Sequence, residues 1–174
     1  TAHGWDYSEL SYDMLQKLGG QVAPPALEER ANLAWLSIGL LRDDQLPALL
    51  EFVAREFPEW LASYRSVAAL GDTRDILVAV DQAGAIVAAL VLSTPRSHPQ
   101  RLDIPWQALL GHDLGGPGVV GVADALQGQG VGTALMARAN QILRERGVGA
   151  KLVCWTWAVS FYGRLGYHVW QSYA

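Results

Sequence analysis

Three glycines alternate at Gly128, Gly130 and Gly132 within the run Val119-Val120-Gly121-Val122-Ala123-Asp124-Ala125-Leu126-Gln127-Gly128-Gln129-Gly130-Val131-Gly132-Thr133. A strand-like apolar stretch enters the turn, and a helix-like stretch with Leu135, Ile142 and Leu143 on one side leaves it. Residues without Cβ let successive N–H groups point inward together, and a helix N-terminus adds about half a positive charge. Together they suit a phosphate or pyrophosphate. A nucleotide-hydrolysing P-loop would carry Lys before the hydroxyl residue, and Gly132-Thr133 has none. A dinucleotide-binding turn would follow the first strand, with G-x-G-x-x-G spacing and an acid about 20 residues on; here the turn is late, the spacing differs and the acid is missing. Two readings stand: an anion cradle, or a plain tight turn.

Other side chains have weaker claims. Cys154 sits mid-strand among apolar neighbours, which reads as a small buried hydrophobe rather than a nucleophile. His98 and His112 fall on a long polar connection, where either could titrate near neutrality, although exposed loop histidines are commonly inert. Asp124 follows the strand before the glycines, where capping the loop is the expected role. No Cys/His cluster has zinc spacing, so no metal is expected. Trp60, Trp106 and Trp157 fall near the expected cleft, where an aromatic face can stack on a sugar ring or a cation.

Gln127-Gly128-Gln129-Gly130-Val131-Gly132 resembles the Q/R-x-x-G-x-G/A signature of the GNAT superfamily of acyl-CoA-dependent N-acyltransferases. Downstream, Ala158-Val159-Ser160-Phe161-Tyr162-Gly163-Arg164-Leu165-Gly166-Tyr167 is similar to that family's second motif, A-x-x-F-Y-x-x-L-G-F/Y. The resemblance implies an α+β GNAT fold: a central mixed, splayed β-sheet flanked by helices. It implies acetyl-CoA as co-substrate, its pantetheine arm bonding like an extra strand along Val120 to Val122 and its pyrophosphate on the amides of Gln129 to Thr133. It implies Tyr162 as the acid that protonates the departing sulfur; the alternative is a tyrosine packed with its hydroxyl on a backbone carbonyl. Arg138 and Arg164 are candidate partners of the ribose phosphate, or simply solvated cations.

Relatives wall the acceptor site where Glu56 and Glu59 fall, and Trp60 and Trp106 complete the expected acceptor set. The sequence departs from the pattern at Trp155, where the family commonly has Asn, and no acid occurs between Val119 and Ala123 to serve as general base. A narrower similarity, in Arg55 to Trp60, Gly116 to Ala123, Trp155 to Tyr167 and Val169 to Tyr173, is to GNAT domains that occur in tandem or fused to glycosidases and acetylate glucosamine or glucosaminides. The expected function is therefore acetyl transfer to a primary amine, with an amino sugar leading and an aminoglycoside, polyamine or peptide N-terminus behind it. The rival is a CoA-holding or structural half of a tandem pair.

The elements that must position these residues follow from periodicity. Ala34 to Leu40 reads as a strand; Leu46, Leu49, Leu50, Val53 and Phe57 make a helical stripe behind Asp43-Asp44; Pro58 interrupts it; and Glu59 to Leu70 reads as a second helix. Ile76 to Val80 and Ile86 to Leu92 flank the turn Asp81-Gln82-Ala83-Gly84 as an antiparallel pair. Residues 93 to 117 form a proline-rich connection with a short helical piece at Trp106 to Leu110. Gly118 to Ala123 reads as a strand, Val131 to Arg146 as a helix, Leu152 to Trp157 as a strand, Val159 to Leu165 as a helix and Tyr167 to Tyr173 as a last strand.

Composition bounds the rest. With 174 residues and 51% hydrophobic side chains the chain fits one domain, residues 31–174, preceded by an arm at 1–30. The arm is expected to add a strand to the sheet edge or to a partner subunit, the latter giving a homodimer. A net charge of −4 without a basic run argues against nucleic acid, and the longest apolar run, Ala85 to Leu92, is far short of the roughly 20 residues of a membrane span. One cysteine rules out a disulfide within the chain and makes the cytoplasm the expected compartment. Residues 1–62 hold four bases against ten acids, and residues 63–174 nine against seven. That leaves one wall of a site to favour a cation, or else a solvated acidic helix face.

Overall fold

The computed structural model describes residues 10–17, 33–101 and 107–173. In chain order these form β1 (Ser11–Lys17), β2 (Leu36–Leu40), α1 (Leu46–Glu56), α2 (Leu61–Ala69), β3 (Ile76–Asp81), β4 (Ile86–Ser93), α3 (Gln107–Leu110), β5 (Leu114–Val122), α4 (Val131–Glu145), β6 (Ala150–Thr156), α5 (Val159–Arg164) and β7 (His168–Tyr173). The seven strands make one sheet in the order β2-β3-β4-β5-β6-β1-β7. Every neighbouring pair is antiparallel except β5 and β6, which run parallel through Leu114↔Ala150 and Gly115↔Lys151 and then part. The sheet is mixed and splayed, as the α+β expectation required. Among the described residues no helix is long and apolar enough to cross a membrane.

Helices cover both faces, which is why β4 is buried along its whole length and reads as a continuous apolar run. On one face α4 and α5 pack Leu135, Leu143 and Tyr162 with Met14, Leu77, Leu90 and Val153. On the other, α1 and α2 set Leu49, Phe52 and Tyr64 against Ile76, Val78, Ala89 and Val91. A third, smaller cluster on the far wing joins Leu15, Leu114, Ala150 and Leu152, with Leu110 and Trp170 beside it.

Two expectations need correction. β1 does not extend the sheet edge; it lies between β6 and β7 and pairs with both. Its Met14 and Leu15 are buried on opposite faces, so the strand contributes apolar side chains to two clusters. The rest of the arm lies outside the described residues. β5 begins at Leu114, four residues before the expected start, because Gly115-Gly116-Pro117 disguises it. These glycines are steric requirements, since a Cβ on Gly116 would run into the backbone carbonyl of Leu152. The proline-rich connection is tied down: Arg101 Nη1 lies 2.8 Å from buried Asp75, which Ser97 Oγ also reaches at 2.6 Å. Arg146 of the segment after α4 meets the same carboxylate at 2.6 Å.

Lys151, 2% exposed in the middle of β6, donates from Nζ to Asn140 Oδ1 at 2.9 Å, and Tyr167 Oη donates to the same oxygen at 3.1 Å. Desolvation, with the charge of Arg144, lowers the ammonium from its ordinary 10.5 to about 8.

Gly116→Ala should cost about 1–3 kcal/mol, because the obstructing atom is backbone and cannot rotate away; thermal melting should show a loss of several degrees, at roughly 2–4 °C per kcal/mol for this size. Between about pH 8 and 10.5 the unfolded chain holds the Lys151 proton and the folded chain does not, so stability should rise with pH across that window. Lys151→Met should accordingly stabilise the protein at pH 7 by roughly 1–3 kcal/mol in urea denaturation, the gain shrinking as pH climbs through the window.

Candidate active site

The cleft opens where β5 and β6 part, and both strands are irregular there. Opposite Ala89 and Val91, β5 sets Gly121 and Gly118, so three steps on β5 match two on β4 and the strand carries a bulge. Val119, inside the bulge, has φ +44°, a conformation a β-branched residue rarely takes. Its carbonyl accepts a hydrogen bond of 2.9 Å from Tyr64 Oη on α2. Tyr64 is fully buried, which raises its pKa and keeps the donating proton in place. One step further, a Cβ on Gly121 would meet the ring of Phe57, which stacks on Trp60 at 4.9 Å and 18°. This pair, from the end of α1 and the turn that follows, walls one side.

The opposite wall is β6, where Val153, Cys154, Trp155, Thr156 and Trp157 line the cleft. Its pairing with β1 also slips, between Tyr12↔Thr156 and Met14↔Val153, and Trp155 adopts φ +53°. The Trp155 N–H donates to Asp13 Oδ1 at 2.9 Å, and its indole lies flat on Tyr173, 5.1 Å away and within 7° of parallel. Tyr173 Oη donates to Asp13 Oδ2 at 2.8 Å; desolvation and this bond push the phenol up to about 12. Asp13 itself is completely buried. The cleft between the walls measures about 760 Å³.

At one end stands the glycine turn. The side chains of Gln127 and Gln129 fold back on the turn itself, donating to Asp124 Oδ1 and the Ala125 carbonyl at 2.9 Å each. Gly128 and Gly130 have φ of +76° and +87°, and Gly130 caps α4 in the left-handed region. Among the described residues no carbonyl accepts from the amides of Gly130, Val131, Gly132 or Thr133. Four donors therefore converge at the N-terminus of a 15-residue helix, the donor set a pyrophosphate needs.

Below the parting, on α5, Tyr162 reaches the cleft from the core. It is 6% exposed, its ring edge-on to Phe161 and Tyr167, and among the described residues its hydroxyl has no hydrogen-bond partner. Burial pushes it up to about 12, so it carries its proton throughout the physiological range.

Of the other expected residues, Val120, Val122, Gly128, Gly130, Gly132, Thr133, Gln127 and Trp60 all line the cleft, as does Arg164. Val131 buries its side chain in the core and has only its amide to offer, while Gln129 is turned away. Arg138, His98 and His112 do not line the cleft. Glu59 is exposed outside it. Glu56 stands at the rim, accepting from the Asp124 N–H at 3.4 Å and paired with Arg55 at 2.9 Å, which lowers its pKa and suits it poorly to base work. Trp106 lies outside the described residues. Cys154 is half-buried, packing against the cluster of Leu15, Leu114, Ala150 and Leu152 while also lining the cleft. Among the described residues no three His, Cys, Asp or Glu side chains converge as a metal site. Sequence reasoning missed Tyr64, Phe57, Asp13 and Tyr173. Only Asp13 carries a local signal, an acid directly before the apolar pair Met14-Leu15.

The Acetyltransferase (GNAT) domain family matches residues 72–169, over half of the chain, and the protein belongs to that family of acyl-CoA-dependent N-acetyltransferases. Among solved structures, the glucosamine N-acetyltransferase region of a fungal multi-domain GH3 β-N-acetylglucosaminidase is 34% identical with a TM-score of 0.87, covering 95% of this chain and 20% of that one. A GCN5-related N-acetyltransferase from Sphaerobacter thermophilus is 21% identical, TM-score 0.67, over 95% of this chain and 50% of its own. A GNAT family acetyltransferase from Brucella melitensis in complex with acetyl-CoA is 17% identical, TM-score 0.55, over 78% and 86%. The chain thus spans a fifth of the fungal enzyme and half of the Sphaerobacter protein. No curated protein sequence matches it.

Nothing of the protein lies within 4 Å of a Cβ built on Gly130. Gly130→Ala should therefore strain only the backbone, costing about 1–2 kcal/mol of stability, while placing a methyl group beside the free amides. Calorimetry should show CoA binding weakened at least about tenfold, with the fold retained.

Proposed function

We propose that the protein transfers the acetyl group of acetyl-CoA to the primary amine of an amino sugar, glucosamine or a glucosaminide. The observation that carries the acceptor class is the similarity to the fungal glucosamine N-acetyltransferase region, 34% identical over 95% of this chain. The cleft supports it, with Phe57 and Trp60 on one side and Trp155 and Trp157 on the other offering flat apolar faces to a pyranose ring.

In this reaction the pyrophosphate rests on the amides of Gly130 to Thr133, and the pantetheine arm runs beside Val120 and Val122. The neutral amine attacks the thioester carbonyl carbon; the C–N bond forms, the C–S bond breaks, and the hydroxyl of Tyr162 gives its proton to the departing sulfur. The unpartnered, protonated state of that hydroxyl supports this role. No Asp, Glu or His lines the cleft among the described residues, so the amine's own proton goes to water. A reducing, cytoplasmic setting accords with the single cysteine.

That missing acid favours one alternative, a CoA-holding half of a tandem protein without acceptor chemistry. Thiol release decides between them. Wild-type protein with acetyl-CoA and glucosamine should release CoA at a rate that rises through the amine's pKa, with no descending limb up to about pH 10 because Tyr162 stays protonated. Tyr162→Phe should lower kcat roughly 100-fold and leave CoA affinity within about twofold. CoA binding without thiol release to any amine would establish the alternative.

A further inference from the structure

The wall formed by β6 is built unlike the rest of the cleft. Trp155 is 65% exposed, yet it is held by three restraints: a left-handed backbone, a parallel stack on Tyr173, and an N–H bonded to a completely buried carboxyl group. An exposed tryptophan is ordinarily free to rotate, and a strained backbone persists only where the surroundings over-determine it. Asp13 supplies that determination, since its two oxygens take the Trp155 N–H at 2.9 Å and the Tyr173 hydroxyl at 2.8 Å and so fix both partners of the stack at once. The oxygen of Tyr173 also lies 2.7 Å from the side-chain amide of Gln171, closing the cluster. Asp13 and Tyr173 both lie outside the residues matched by the family, 72–169.

Resting on the amino-sugar reading above, we infer that Trp155 is the residue that selects a ring-bearing acceptor, and that Asp13 on β1 is the positioning residue that holds its indole ready. A rigid, already ordered aromatic face gives stacking energy without the entropy cost of ordering a free side chain on binding. Trp155 lines the cleft on the wing that faces Phe57 and Trp60, so a pyranose seated between the walls meets an aromatic surface on each side. The residues that hold the selecting indole, Asp13 on β1 and Tyr173 at the end of β7, then lie outside residues 72–169, while the indole itself lies inside them.

The test is steady-state kinetics of Trp155→Ala, Asp13→Leu and Asp13→Asn with acetyl-CoA and glucosamine, together with calorimetric CoA binding. Trp155→Ala should raise the KM for glucosamine about tenfold, with kcat and CoA affinity within about twofold. Asp13→Leu should do the same through the lost Trp155 and Tyr173 bonds. Asp13→Asn, whose amide oxygen still accepts from Trp155 N–H and whose NH2 can donate to the Tyr173 oxygen, should restore most of the wild-type KM. If Asp13→Leu does not fold, Trp155→Ala and Asp13→Asn carry the test alone. Wild-type turnover of glucosamine with an unchanged KM in Trp155→Ala would overturn this inference and leave the proposed function standing. No turnover of glucosamine by the wild type, with turnover of another amine, would overturn the amino-sugar reading and this inference with it.

Discussion

A parallel ladder that stops after Leu114↔Ala150 and Gly115↔Lys151 leaves the facing edges of β5 and β6 without each other's N–H and C=O groups. Buried in that condition, each group would cost about 1–3 kcal/mol. Each strand also carries a bulge in its pairing with its other neighbour, β5 against β4 and β6 against β1, and a side chain from a neighbouring element takes a backbone group within that bulge. On β5 the Val119 carbonyl goes to Tyr64 of α2; on β6 the Trp155 N–H goes to Asp13 of β1. What stays unpaired faces an open cleft, where water or a ligand running like an extra strand can complete it.

The parting also organises the packing. The cluster beneath α4 and α5 is continuous from Leu77 and Leu90 on one wing to Met14 and Val153 on the other. On the opposite face the apolar material is split, with the α1 and α2 cluster reaching only to Val119 and a separate one beginning at Leu114, Leu152 and Leu15. The cleft is the gap between these two, and the continuous layer is its floor. Tyr162 belongs to the floor, which explains how one phenol can be nearly buried and still present its oxygen to the space above.

Much of this was legible where chemistry and local geometry coincide. Gly128, Gly130 and Gly132 announce themselves because a left-handed turn before a helix leaves few alternatives, and the hairpin follows from two apolar runs that flank the turn residues Asp81 to Gly84. The start of β5 was hidden because Gly115-Gly116-Pro117 is written for contact with Leu152 and not for strand propensity. β1 was misplaced because the seven residues Ser11 to Lys17 gain their interior position from two neighbours more than 100 residues away, β6 and β7. Tyr64, Phe57 and Tyr173 were invisible as site residues for the same reason: each acts through contacts with residues distant in the chain, and nothing in its own helix or strand marks it.

The electrostatics of the cleft follow from what the walls lack. Its lining holds a glycine turn, aromatic faces and one cation, Arg164, and among the described residues no acid. The acids that give residues 1–62 their negative balance include Glu56 at the rim, and Glu56 is engaged by Arg55 and the Asp124 amide. An amine that enters the cleft meets no carboxylate among the described lining residues that would hold it charged. Inside an apolar, partly desolvated space the neutral form of an amine is favoured over the ammonium, and the neutral form is the one that attacks a thioester. In the proposed reaction the walls themselves therefore bias the amine toward its reactive state, and the protonated Tyr162 serves the departing sulfur.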